Sequence, residues 1–114
     1  MHRNHVYVFD VAAARPATLD DVDVVRTALL DLVADAGLHP VGSEALHRFT
    51  PQGLSLAILL AESHVAVHTW PEHATAYVTL TTCRRPPAGF VERTRAALAD
   101  ALGGDVVGRT MDDA

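Results

Sequence analysis

Apolar residues recur with two different periods along this chain. From Thr18 to Ala36 they return every three or four positions, with Val22, Val25, Leu29, Leu32 and Ala36 on one stripe, which predicts an amphipathic helix. Thr18 is the expected N-cap, Asp20 and Asp21 fall in the first turn near the positive end of the helix dipole, and Gly37 suits a left-handed C-terminal residue. A second helix is expected from about Ala88 to Leu102, with Val91, Thr94, Leu98 and Ala101 on its stripe and Gly103-Gly104 at its end.

The remaining segments alternate with period two and read as strands: His5 to Val11, Pro40 to Phe49, Leu54 to Glu62, His64 to Trp70, Ala74 to Cys83 and Asp105 to Met111. Thr50-Pro51-Gln52-Gly53 and Trp70-Pro71-Glu72-His73 are turn signals, because proline fixes its own φ and pushes the preceding residue toward extended geometry. The order β-α-β-β-β-β-α-β predicts an α+β fold, a two-layer α/β sandwich of a mostly antiparallel sheet with two helices on one face. No repeat, linker or low-complexity tract interrupts it, so residues 1–114 read as one domain.

Strand phase adds a second layer of information. His64, Ala66, His68 and Trp70 project to one side of their strand, with Val65 and Val67 on the other. In the next strand Tyr77, Thr79, Thr81 and Cys83 oppose Val78, Leu80 and Thr82. One sheet face is thus apolar enough for the helices, and the other carries His, Trp, Tyr, Thr and Cys, as expected of a face turned to a site or a subunit partner.

Composition narrows the function classes. The net charge of -5 and pI near 5.7 exclude a basic nucleic-acid or membrane surface. There is no lysine, so no side-chain amine can form a Schiff base or anchor pyridoxal phosphate. Cys83 is the single cysteine, the N-terminus lacks a signal-peptide pattern, and the longest apolar run, Leu56 to Ala61, is too short to span a bilayer; a cytoplasmic location is expected.

The densest chemistry lies in Ala61 to His73, AESHVAVHTWPEH, with three histidines, two glutamates and one serine. His2, His39 and His73 read as ordinary surface or hydrogen-bonded histidines. His64 and His68 have the spacing of a helical metal pair, but in a strand they stand about 13 Å apart along the axis, which argues against a metal site. Glu62-Ser63 offers another chemistry: a serine after a forced turn can attack its own preceding carbonyl when an imidazole handles the proton.

Taken whole, ESHVAVHTWPE followed by Thr82-Cys83 resembles the processing and active-site segment of the prokaryotic S-adenosylmethionine decarboxylase proenzymes, which are pyruvoyl enzymes. Upstream, His47-Arg48-Phe49-Thr50-Pro51-Gln52-Gly53-Leu54-Ser55 is similar to the family's HxFxPxGxS segment, and the match runs from His47 to Cys83 without a gap.

The resemblance implies self-cleavage between Glu62 and Ser63 into a 1–62 β chain and a 63–114 α chain, the second capped by a pyruvoyl group made from Ser63, with no metal and no pyridoxal phosphate. It implies that Ser55 and His68 assist processing, that Cys83 returns a proton to the substrate, that Phe49 and Trp70 flank an adenine, and that Glu72 holds ribose hydroxyls. The implied activity is decarboxylation of a small amino-acid-type substrate, S-adenosylmethionine, to the aminopropyl donor of spermidine biosynthesis, by a homodimer. L-arginine or L-ornithine decarboxylation on the same scaffold is the alternative, and a non-catalytic regulatory homolog is a further one.

The chain departs from the family pattern at Phe9, where an acidic residue is usual, at Ala12-Ala13-Ala14, where a cysteine is missing, and at Thr79, Thr81 and Arg84, which replace an aspartate, an aromatic and a glycine. None is a self-cleavage residue. They bear instead on the substrate pocket, where retention of Phe49, Trp70 and Glu72 favours S-adenosylmethionine.

Overall fold

A computed structural model describes residues 4–111; His2 therefore lies outside the described residues. Six strands form one antiparallel sheet: β1 (His5–Ala12), β2 (Pro40–Arg48), β3 (Leu54–Leu60), β4 (Ser63–Trp70), β5 (Thr75–Thr82) and β6 (Asp105–Thr110), in the spatial order β2-β3-β4-β5-β1-β6. The chain thus places its first strand between its fifth and sixth, with Phe9 paired to Val78 on one side and Gly108 on the other.

The period-two expectation holds in β3, β4 and β5 and fails in β2, an edge strand exposed along its whole length. Val65, Val67, Val78 and Leu80 are almost fully buried, whereas His64, His68 and Trp70 are exposed and Tyr77, Thr79 and Thr81 half-buried. The buried face joins Phe9, Leu54, Leu56 and Ile58 in one core with Leu29, Leu32, Leu98 and Leu102 of the helices. Burying a side chain of this size contributes ~1.5–3 kcal/mol.

The helical part differs from the sequence expectation. The segment expected as one helix from Thr18 to Ala36 is two, α1 (Pro16–Leu19) and α2 (Val22–Asp35). Asp21, not Thr18, is the N-cap of the longer one, accepting from the amides of Asp23 at 3.0 Å and Val24 at 3.2 Å. Thr18 instead donates to the Arg15 carbonyl at 2.7 Å. Asp20 belongs to no first turn, because it terminates α1 and its carboxylate bonds the distant Gly53 amide at 2.8 Å, which holds the chain in a corner. Gly37 is left-handed as expected, with the Leu38 amide closing on the Val33 carbonyl.

The last helix, α3, runs Phe90–Leu102, starting two residues later than expected because left-handed Gly89 precedes it. No described helix is long and apolar enough to cross a membrane.

Candidate active site

The β3–β4 hairpin pairs Leu60 with Ser63 and leaves only Ala61-Glu62 as the connection. Two residues must reverse the chain, and Glu62 does so at φ 56, in the left-handed region. For a residue with a Cβ that conformation costs ~1–2 kcal/mol. Ser63, the next residue, is 6% exposed, and its Oγ is buried without a hydrogen-bond partner. An unpartnered buried hydroxyl costs a further ~1–3 kcal/mol. Both sides of the 62–63 peptide bond are therefore held at a cost.

The register His64 to Thr81 sets Ser63 beside the end of β5, where Thr82 and Cys83 follow. Thr82 Oγ1 accepts from the Arg84 amide at 3.1 Å and lies 3.2 Å from the Arg84 carbonyl, closing a small turn around half-buried Cys83. His5, buried, pairs with Thr82 on the far side.

The opposite end of the sheet carries a different set. Reading across the partly exposed face, His47 pairs with Ser55, Ser55 with His68, His68 with Tyr77 and Tyr77 with Asp10. Directly opposed residues share a face in an antiparallel sheet, so these five form one polar row. Ser55 Oγ lies 2.6 Å from His68 Nδ1 beside a cavity of about 200 Å³. Asp10 pairs with Arg109 at the row's end. Sequence reasoning singled out Ser55 and His68 and missed His47 and Asp10, whose signal is strand parity combined with a register that sequence leaves open.

The aromatic residues gather at this same end. The His47 and Phe49 rings are 5.4 Å apart, and those of His68 and Trp70 6.3 Å. Gly53, at φ +100, lets the turn fold flat: a Cβ there would lie 2.8 Å from the Thr69 carbonyl, 3.1 Å from the Phe49 ring and 3.2 Å from Pro71. Glu72 follows Pro71 in the short 3-10 turn Pro71–His73 and is exposed. Thr69, fully buried, locks the region by donating to the Leu19 carbonyl at 2.7 Å and accepting from the Leu54 amide at 3.0 Å.

Ser55, His68, Phe49, Trp70 and Glu72 are therefore brought together, Glu62, Ser63 and Cys83 lie at the other end of the sheet, and the two sets are apart. Ser63 and His68 are an odd number of residues apart on β4, hence on opposite faces, and about 16 Å apart along the strand. Arg95, by hydrogen bonding, holds the Glu92 carboxyl below its ordinary range, on α3 and in neither set. Among the described residues no group of three or more His, Cys, Asp or Glu could hold a metal ion.

Residues 4–107 match the family model described as S-adenosylmethionine decarboxylase. The chain belongs to the S-adenosylmethionine decarboxylase family. Within it, the S-adenosylmethionine decarboxylase proenzyme of Acidithiobacillus ferrooxidans (strain ATCC 53993 / BNL-5-31) is 42% identical over 79 residues, 69% of this chain and 59% of that protein. The proenzyme of Pyrococcus abyssi is 35% identical over 79 residues, 69% of this chain and 56% of that one. The chain thus spans less than two thirds of the length of these relatives. The crystal structure of the Aquifex aeolicus VF5 adenosylmethionine decarboxylase superposes with a TM-score of 0.78 at 25% identity, covering 97% of this chain and 90% of that one. The S-adenosylmethionine decarboxylase match includes every residue of both sets and of the polar row, from Asp10 to Cys83.

Proposed function

We propose that this chain is a self-cleaving, pyruvoyl-dependent S-adenosylmethionine decarboxylase that forms the aminopropyl donor of polyamine biosynthesis, cut between Glu62 and Ser63 into chains 1–62 and 63–114. The observation that carries the reading is the 62–63 bond itself, with a left-handed Glu62 on one side and a buried, unpartnered Ser63 hydroxyl on the other. Both costs fall away when the bond is cut. That orphaned hydroxyl fits a residue destined to be converted into a carbonyl group.

The chemistry balances without an outside oxidant. Ser63 Oγ attacks the Glu62 carbonyl carbon, the peptide C–N bond breaks, and the nitrogen takes up the hydroxyl proton, leaving an ester. Removal of the Ser63 α-proton then expels the Glu62 carboxylate and leaves a dehydroalanine, whose tautomer exchanges ammonia for water to give the pyruvoyl group. When formed, that group supplies a conjugated carbonyl that accepts the electrons released as carbon dioxide leaves. Cys83 returns a proton, a task suited to a thiol whose usual pKa is about 8.5. Phe49 and Trp70 flank the adenine, and Glu72 takes the ribose hydroxyls.

His68 handles the processing proton with Ser55 setting its ring, yet in one chain it stands on the wrong face and end of β4 for Ser63. The reading therefore includes a homodimer in which each Ser63 is served by the partner's His68. It also includes a cytoplasmic location, where the single thiol stays reduced.

Intact-mass spectrometry of the purified protein tests the cut. Fragments 1–62 and 63–114, the second lighter by one ammonia than a serine-started peptide, are expected, with carbon dioxide release from S-adenosylmethionine exceeding that from L-arginine or L-ornithine. A single uncleaved mass would refute the reading.

A further inference from the structure

The corner between α1 and α2 has no part in the self-cleavage chemistry, yet it holds the aromatic end of the sheet from two directions. Asp20 Oδ1 accepts from the Gly53 amide at 2.8 Å and from Arg48 Nη2 at 3.0 Å, and the same Arg48 nitrogen donates to the Asp20 carbonyl at 3.0 Å. One residue earlier, the Leu19 carbonyl accepts from Thr69 Oγ1 at 2.7 Å. Arg48 immediately precedes Phe49, and Thr69 immediately precedes Trp70.

The turn that Asp20 grips has little else to fix it. Its closing bond runs from the Phe49 amide to the Gly53 carbonyl at 2.8 Å, and β2 leading into it is an exposed sheet edge. Gly53 gives the turn close approach to Thr69 and Pro71 but no side chain to anchor it. A carboxylate accepting from a backbone amide and a guanidinium is the stronger class of hydrogen bond, and here it joins segments 33 positions apart.

We infer that Asp20 is a positioning residue for the nucleoside end of the substrate site, holding the Phe49 turn against the Trp70 end of β4. The inference rests on the proposed reading, in which Phe49 and Trp70 flank the adenine, and adds a residue that touches no substrate. Displacing the turn weakens nucleoside binding, while Ser63 and Cys83, at the other end of the sheet, keep their geometry.

Trp70 is the only tryptophan, so its fluorescence reports on the site directly. In the full chain carrying Ser63→Ala, which has no pyruvoyl group, adenosine is titrated against Trp70 emission with and without a change at Asp20. Asp20→Ala is expected to weaken adenosine roughly tenfold, and Asp20→Asn, which keeps an acceptor oxygen, to restore most of it. In the self-processed enzyme Asp20→Ala should raise KM for S-adenosylmethionine by a similar factor with kcat unchanged. Asp20→Glu keeps the charge and moves the acceptor by one methylene; if Asp20→Ala does not fold, this variant carries the test and should show a severalfold loss. Unchanged adenosine affinity in folded Asp20→Ala or Asp20→Glu would overturn the inference, as would a fall in kcat at constant KM. An unsubstituted chain that neither binds adenosine nor releases carbon dioxide from S-adenosylmethionine would bring down the underlying reading as well.

Discussion

Ser55 Oγ and His68 Nδ1 are 2.6 Å apart across the β3–β4 pair, on the sheet face opposite Ser63. The contact fixes the imidazole and aims it away from the serine of its own chain.

Complementation between two inactive chains follows from this arrangement. Ser63→Ala cannot cleave, and His68→Ala should cleave roughly 10²–10⁴-fold more slowly than the parent, the usual worth of a positioned proton-transfer group. Mixed and refolded together, they should yield cleavage of the His68→Ala chain alone, followed by gel or mass spectrometry. Absence of cleavage in the mixture would refute a shared site.

Cys83→Ala separates the two stages of the proposed chemistry. Cleavage should proceed at the parental rate, because Cys83 takes no part in it, while kcat falls by roughly 10²-fold or more. A cleavage defect as large as the turnover defect would remove Cys83 from its assigned role.

Glu62→Gly tests the backbone cost beside the scissile bond. Glycine accepts a positive φ freely, so in a Ser63→Ala background the change should stabilise the fold by about 1 kcal/mol, a rise of about 4 °C in Tm for a domain of this size. In the cleavable chain it should slow self-cleavage. A fall in Tm would show that the glutamate side chain, and not the turn, governs this position.

Thr69→Val tests the buried lock. The Leu54 amide and Leu19 carbonyl lose their hydroxyl partner, at ~1–3 kcal/mol for each group left unsatisfied, and urea unfolding should register the loss. Thr69→Ser keeps the hydroxyl and should stay close to the parent.

The parity of β4 and β5 was legible residue by residue, because one side of each strand is apolar and the other polar. The opposition of Ser63 and His68 was not, because periodicity leaves Ser63 between a strand ending at Glu62 and one starting at His64, whereas the turn is Ala61-Glu62 and Ser63 opens β4. The break at Asp20-Asp21 was not: helix periodicity continues through it, and the partners that stop the helix, Gly53 and Arg48, lie about thirty positions away. Nor was the row His47, Ser55, His68, Tyr77 and Asp10, because a register depends on turns and bulges that sequence underdetermines.

The sheet order has a further consequence for a chain cut at residue 62. Fragment 1–62 would own β2, β3 and β1, and fragment 63–114 would own β4, β5 and β6, so along the sheet the two alternate instead of lying side by side. Neither piece could depart without breaking the shared ladders β3–β4, β5–β1 and β1–β6. Assembly, unimolecular in the intact precursor, would become a second-order reaction after the cut, with a yield that depends on concentration. The mature form would then persist by the slowness of its unfolding, having had its one efficient opportunity to fold before the bond was broken.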